Sequence, residues 1–123
     1  MQLNDIVWAP PPIPAELSEG RSPEWEALSR SFIKKNPFCA ISGLCTNLQV
    51  HHKKPFHLYP ELELVESNLV VLNVNYHFIF GHLGDWKAWN PNIVNDIKVW
   101  SNRLKHRLTS RLPGEFHGYL SEV

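Results

Sequence analysis

The chain has 123 residues, a formal net charge of zero and a hydrophobic fraction of 43%. This length predicts one small domain with a modest core. No apolar run is long enough to span a membrane as a helix, and the N-terminal residues lack the basic and apolar regions of a secretory signal. A cytoplasmic protein is therefore expected. The zero net charge argues against a general nucleic-acid binder, although basic residues cluster locally.

Residues 1–21 are predicted to form an extended, proline-rich arm. Four prolines between positions 10 and 14 favour a polyproline-like conformation and oppose a helix. Trp8 is a candidate for docking this arm on the body of the protein. No chemistry is predicted in the arm.

The first helix is predicted to begin at Ser22-Pro23, because serine is a favoured cap and proline is favoured at the first helical position. Four apolar residues follow at helical spacing and are expected to face the core: Trp25, Leu28, Phe32 and Ile33. The helix is expected to end before Asn36-Pro37, since the residue preceding a proline disfavours helical backbone.

Two short strands, 38–43 and 48–52, are predicted to follow as a hairpin. In the second strand Gln49 and His51 point to one face, so His51 and His52 fall on opposite faces. One imidazole can then bind a metal while its neighbour contacts another group. A long connection over 53–67 comes next, and long ordered loops in small domains are often functional.

After this loop the sequence predicts a buried strand, Val70–Leu72, and one or two helical turns, Tyr76–Phe80. His77 and His82 are five residues apart, whereas residues three or four apart are neighbours on a regular helix. Gly81 is therefore expected to end the helix and to let the chain bend His82 back.

A longer amphipathic helix is predicted over 92–108, and a tail over 111–123. The buried stripe of this helix is expected to consist of Ile93, Ile97, Trp100 and Leu104. The predicted fold class is thus α+β, with an N-terminal helix, two strands, a short helix and a C-terminal amphipathic helix.

Five of the seven histidines lie between positions 51 and 82, and four of them, His51, His52, His77 and His82, have spacings that suit a chemical site. Neutral imidazoles bind divalent transition metals, and three protein ligands leave coordination positions open, as in catalytic sites. A fourth histidine can take a proton from water. The alternative interpretation is a set of ordinary surface and core histidines.

The order His51-His52, then Asn68, then His77 resembles the motif of HNH nucleases, which have a ββα-metal core. The resemblance implies that His51 and His77 bind a metal, that His52 is the general base and that Asn68 organises the site. His82 resembles a further histidine at the helix end that some members use as a third protein ligand.

The flanking segments are similar to small HNH proteins of phages and prophages. The similarity is carried by Ser22–Trp25, Val50–Phe56 and Phe80–Trp86, and it covers about residues 22–91. It implies an HNH nuclease domain over 22–110 with its core at 38–83.

The chain departs from many relatives at the cysteines. Such relatives hold a structural zinc with two CxxC-type pairs, whereas this chain keeps only Cys39 of the first pair. Cys45 does not restore the pattern, so no structural zinc knuckle is expected. Packing by Phe38, Ile41, Leu44 and the tryptophans is expected to hold this region instead.

The resemblance implies a metal-dependent DNA endonuclease of low sequence specificity, or a nicking enzyme, with one divalent ion. The sequence does not distinguish magnesium, manganese, nickel and zinc. DNA is the implied partner, phage packaging or recombination proteins are further candidates, and the implied setting is a bacterial or phage-infected cell.

Candidate nucleic-acid contacts are Lys53, Lys54 and His57. Each has a plain alternative as a solvated or loop residue. The competing function is a catalytically degenerate HNH-fold module that binds nucleic acid or another protein.

Overall fold

The computed structural model describes residues 8–111, and side chains through residue 106. This part of the chain is an α+β fold with three α-helices and one two-stranded antiparallel sheet. In chain order the elements are α1 (Trp25–Lys35), β1 (Leu48–His52), β2 (Leu69–Asn73), α2 (Val74–Tyr76) and α3 (Ile93–Arg111). None of the described helices is both long and apolar enough to cross a membrane. Apart from Arg111, which ends α3, the predicted tail at 111–123 lies outside the described residues, as do positions 1–7 of the predicted arm.

The sheet pairs β1 with β2, and the predicted hairpin between 38–43 and β1 is wrong. His51 lies opposite Val70, and His52 lies opposite Leu69. Residues 38–43 instead form tight turns, in which the Gly43 N–H donates to the Cys39 carbonyl at 2.9 Å. These backbone groups bond within the turns, and the Ala40 N–H donates to the Val71 carbonyl of β2 at 2.9 Å, so the segment makes no ladder with β1.

The core beneath the sheet centres on Leu72, which is fully buried with Cys39 and Ile41. Phe38 and Leu44 were expected to join it, but each is 46% exposed. The turns direct these two side chains outward, so the packing predicted for them is wrong, whereas that of Ile41 is confirmed.

Helix α3 closes the other side of this core. Of its predicted stripe, Ile93 is 1% exposed, and Ile97 and Leu104 pack against the buried cluster. Trp100 remains 38% exposed and meets Phe80 with a ring-centroid distance of 5.7 Å. The helix runs three residues past its predicted end.

Helix α1 begins slightly later than predicted. Ser22 Oγ accepts the backbone N–H of Glu24 at 3.2 Å, which closes a turn before the first helical residue. The helix ends as predicted, with the Asn36 side-chain amide donating to the Phe32 carbonyl at 3.1 Å. Its apolar face is half-buried and packs against β1.

The described part of the arm, residues 8–21, lies against the body rather than away from it. Its residues Ala15–Ser18 form a short 3₁₀ turn. The Trp86 indole N–H donates to the Pro11 carbonyl at 2.7 Å, and Trp8 meets Phe78 at 6.1 Å. The arm is therefore anchored beside the histidine-bearing elements.

Candidate metal centre

Three histidines from two elements converge below the arm. His51 comes from β1, and His77 and His82 come from the segment after α2. One ligand nitrogen from each lies within 4.8 Å of the other two. The ring centroids are 5.0, 5.0 and 4.9 Å apart in the three pairs.

A π-helical turn over His77–Gly81 explains how residues five apart reach one site. The His82 N–H donates to the His77 carbonyl at 3.1 Å, an i to i+5 bond that sets the two side chains on the same face. Gly81 does not bend the chain through a left-handed conformation, which is adopted instead by Leu83 and Gly84. The helical turn ends at Gly81, as predicted.

Gly81 is needed because the imidazole of His51 lies directly over its Cα. A Cβ at this position would lie 3.0 Å from both Cε1 and Nδ1 of His51. This is closer than side chains pack, so any larger residue at position 81 displaces the ring.

We expect Gly81→Ala to weaken metal binding by about 10- to 100-fold, the usual effect of displacing a ligand from its supported position. Its effect on folding is expected to be small, because the gain of alanine over glycine in a helix opposes the cost of crowding. Isothermal titration with Ni²⁺ or Zn²⁺ measures the affinity. Ile79→Ala, on the exposed side of the same turn, is the control, and equal affinities for the two variants would contradict the argument.

The hydrogen bonds of His77 and His82 set their tautomers. Nδ1 of His77 lies 2.8 Å from the Gln49 side-chain oxygen, and Nδ1 of His82 lies 2.8 Å from the Ala88 carbonyl. The Ala88 carbonyl can only accept, so Nδ1 of His82 carries the proton, and the Gln49 oxygen in the orientation shown accepts from Nδ1 of His77 in the same way. Both Nε2 atoms are therefore unprotonated, yet they face each other at 3.2 Å.

Two facing lone pairs repel unless a cation lies between them. Ligand nitrogens bound to one ion at about 2.0–2.1 Å are roughly 3 to 3.4 Å apart, which includes the observed separation of 3.2 Å. His51 adds a second indication: it is 2% exposed, and neither of its ring nitrogens has a hydrogen-bond partner. An unsatisfied buried polar atom is costly, and the three ligand nitrogens lie within 4.8 Å of one another, so the three imidazoles could hold a metal ion.

The protonation state of these side chains also suits ligation. Burial lowers the pKa of His51 well below its usual value, and the neighbouring His77 and His82 lower it further. Burial, followed by His82, lowers the pKa of His77 to about 3. Burial likewise lowers the pKa of His82, against the opposing bond to Ala88. All three are neutral at pH 7, with lone pairs available.

In the metal-free protein we expect stability to fall as the pH drops below 6.5. The folded pKa of His51 and of His77 is lowered, so the unfolded chain binds more protons between the folded pKa and about 6.5. Each of these two histidines then reduces the free energy of unfolding by up to about 1.4 kcal/mol per pH unit. Urea unfolding in EDTA at pH 7.5 and 5.5 measures this, and equal stability at both values would contradict the prediction.

His52 points to the other face of β1 and has different contacts from the three histidines. Its ring stacks on Trp25 with a centroid distance of 4.4 Å. Nε2 donates to the backbone carbonyl of Glu63 at 2.9 Å, which leaves Nδ1 unprotonated. Burial lowers the pKa of His52 and the nearby Arg21 adds to this, while the bond to Glu63 opposes it. His52 is thus a neutral, oriented imidazole whose Nδ1 lone pair faces the guanidinium of Arg21.

Arg21 is a site residue that the sequence analysis missed. Its guanidinium lies between the rings of Trp25, at 4.6 Å, and Phe56, at 4.2 Å. One guanidinium nitrogen approaches Nδ1 of His52 to 3.5 Å. Burial lowers the pKa of Arg21 and the negative charge of Glu63 opposes this. No local pattern in the arm signalled this position.

Glu63 and Gln49 are two further supports that the sequence analysis left without a role. Glu63 is 7% exposed, and its carboxylate accepts the Ser22 N–H at 3.0 and 3.3 Å. This bond holds the junction between the arm and α1, next to Arg21. Gln49 had an available signal, because strand alternation placed it on the same face as His51.

The side chain of Asn68 holds the long loop 53–67 through hydrogen bonds. Its side-chain oxygen accepts the Lys54 N–H at 3.0 Å, and its amide donates to the carbonyls of Lys54 at 3.0 Å and Leu62 at 3.3 Å. The Lys53 N–H donates to the Asn68 carbonyl at 2.7 Å. Asn68 therefore fixes the segment that follows His52.

One cavity of about 320 Å³ brings most of the predicted site residues together: His51, His52, His57, His77 and His82 all line it. His57 donates from Nε2 to the Leu17 carbonyl at 2.9 Å and so also contacts the arm. Lys53 and Lys54 lie outside the cavity lining. Lys53 Nζ donates to the Ser67 carbonyl, and Lys54 Nζ lies over the Tyr59 ring.

Comparisons with models of known protein families, with curated proteins and with solved structures found no match to this chain. A function for the four histidines therefore has to be argued from their geometry and chemistry.

Proposed function

We propose that this chain is a metal-dependent DNA endonuclease of the HNH type. One observation carries the proposal. Three buried imidazoles with converging lone pairs line the same cavity as a fourth histidine, His52, whose Nδ1 is unprotonated. The order of two antiparallel strands followed by a short helix is compatible with a ββα core.

The metal ion would be held by His51, His77 and His82. A ligand set of three imidazoles suits nickel, zinc, iron or copper, whereas magnesium prefers oxygen ligands. We therefore infer a transition-metal ion rather than magnesium. When bound, it would neutralise negative charge on the scissile phosphate and on the leaving 3′ oxygen.

His52 supplies the general base. A water molecule transfers a proton to Nδ1 of His52 as its oxygen forms a bond to phosphorus. The bond between phosphorus and the 3′ oxygen breaks, and the 3′ oxygen takes a proton from solvent. The bond from Nε2 to the Glu63 carbonyl keeps the ring oriented and stabilises the imidazolium, which later releases its proton to solvent.

Arg21 contacts the phosphate in this proposal. Arginine presents several donors in a planar fork that matches phosphate oxygens. The stack between Trp25 and Phe56 holds the guanidinium beside His52. The positive charge also keeps His52 neutral, as a base requires.

Asn68 has a positioning role, since its amide fixes the loop that begins directly after His52. Lys53, Lys54 and His57 remain candidate contacts to the DNA backbone. Their contribution is electrostatic and independent of sequence, which agrees with an enzyme of low sequence specificity.

Incubation with supercoiled plasmid tests the proposal. We expect conversion to nicked or linear DNA with Ni²⁺, Mn²⁺ or Zn²⁺, less with Mg²⁺, and none with EDTA. Absence of cleavage with every ion, from a folded protein that binds the ion, would contradict the proposal. That result would favour the non-catalytic binding module instead.

A further inference from the structure

The cavity extends well beyond the candidate metal centre and His52. Its walls beyond the histidines are apolar and aromatic, and include Phe56, Leu58, Trp86 and Trp89. The arm supplies the opposite wall through Ile13 and Leu17. Hydrolysis of a phosphodiester does not by itself require such walls, so they indicate that a further part of the substrate enters.

The histidines lie at the bottom of this cavity. His51, His77 and His52 are 2%, 6% and 7% exposed. In a duplex the phosphates lie on the outside of a wide and stiff rod, with the bases stacked inside. A phosphate of a flexible single strand therefore reaches the metal centre more readily than a phosphate of an intact duplex.

We propose that the cavity receives one unpaired nucleotide, and that single-stranded DNA is the preferred substrate of this enzyme. This inference rests on the proposed nuclease function and specifies its substrate. A cavity of about 320 Å³ is at the small end of the range for ligand pockets, which suits a single nucleotide. Its aromatic side chains can stack on any base, which gives binding without sequence preference.

The arm forms one wall of the cavity, beside the histidine-bearing elements. Three contacts hold it: the Trp86 indole to the Pro11 carbonyl at 2.7 Å, the His57 imidazole to the Leu17 carbonyl at 2.9 Å, and Lys87 to Glu16 at 4.0 Å.

The test is binding in EDTA, where no metal-dependent cleavage occurs. Fluorescence anisotropy compares a labelled oligonucleotide alone with the same oligonucleotide annealed to its complement, at one salt concentration. Electrostatics alone favours the duplex, because of its higher charge density. One stacked base is expected to reverse this and to give the single strand about 5- to 150-fold tighter binding.

Two variants test whether the cavity causes the preference for single strands. Leu17→Trp fills the cavity and Trp89→Ala removes a stacking surface, and each is expected to weaken single-strand binding about tenfold. Val94→Trp, at a position on α3 that is 61% exposed, is the matched control and should bind as the parent does. Thermal unfolding confirms that each variant is folded.

Equal or tighter binding of the duplex would overturn the inference, as would single-strand binding that neither cavity variant weakens. These results are separable from a failure of the proposed function. Plasmid cleavage without a preference for single strands would support the nuclease function and contradict the inferred substrate. A second result is a preference for single strands that the cavity variants abolish, with no cleavage of any DNA. It would support a nucleotide as the occupant of the cavity and contradict the nuclease function.

Discussion

Replacing His52 by alanine is expected to lower the rate of plasmid nicking by about 10²- to 10⁴-fold, the usual contribution of a general base. The affinity for the metal ion should stay the same, because His52 points away from the three converging imidazoles. Initial nicking rates at saturating Ni²⁺ or Mn²⁺, together with a metal titration, measure both quantities.

The neighbouring residue provides the control for this experiment. His51→Ala removes the same side chain one position earlier, on the opposite face of β1, and should abolish metal binding as well as cleavage. If His52→Ala cleaves at the parental rate, His52 is not the base. Since the His52 ring stacks on Trp25, both variants must be assayed below their unfolding temperatures.

Loss of metal binding in His51→Ala and His77→Ala is the second large effect that we expect. A ligand that binds only the folded state at 100 times its dissociation constant stabilises the fold by about 2.7 kcal/mol. The parent protein should therefore unfold at a higher temperature with Ni²⁺ or Zn²⁺ than with EDTA, whereas these variants should show no difference.

The same variants distinguish a metal centre from a cluster of histidines that only stabilises the fold. Removing a buried side chain usually costs about 2–5 kcal/mol. His51→Ala also removes two buried nitrogens without partners, so its cost in the metal-free protein should be below that range. Gln49→Ala, which removes only the support of His77, should weaken metal binding about 10- to 100-fold. A metal-dependent stabilisation that persists in His51→Ala would contradict the ligand assignment.

Much of the fold was accessible from local patterns. The Asn36-Pro37 dipeptide ends α1, the apolar run before Asn73 is a buried strand, and the Ile93 stripe marks α3. These features depend on neighbours within one or two turns or on strand alternation. A single sequence carries such information directly.

The pairing of β1 was not accessible in this way. The nearest apolar segment, 38–43, was the natural partner for a hairpin, but its backbone groups bond within its own turns and, from Ala40, to Val71 of β2. Strand β2 pairs instead, across the long loop that Asn68 binds. Which of the two segments pairs with β1 depends on the other hydrogen bonds that each backbone can form. A local sequence pattern does not show these bonds.

By itself, the sequence determined which residue types can do chemistry and on which face of a strand they lie. The motif predicted His51, His77 and His82 as a group, and alternation separated His51 from His52. Only the tertiary structure decided how these side chains meet. The π turn places His82 beside His77, and Gly81 leaves room for the His51 ring.

The tertiary structure also brought Arg21 to His52 from an arm without an evident role. These arrangements depend on contacts between segments far apart in the chain. Their free energy comes from burial and from satisfying backbone and side-chain groups in three dimensions. Local spacing predicted the chemical groups of this site, whereas packing between distant segments set their distances, tautomers and pKa values.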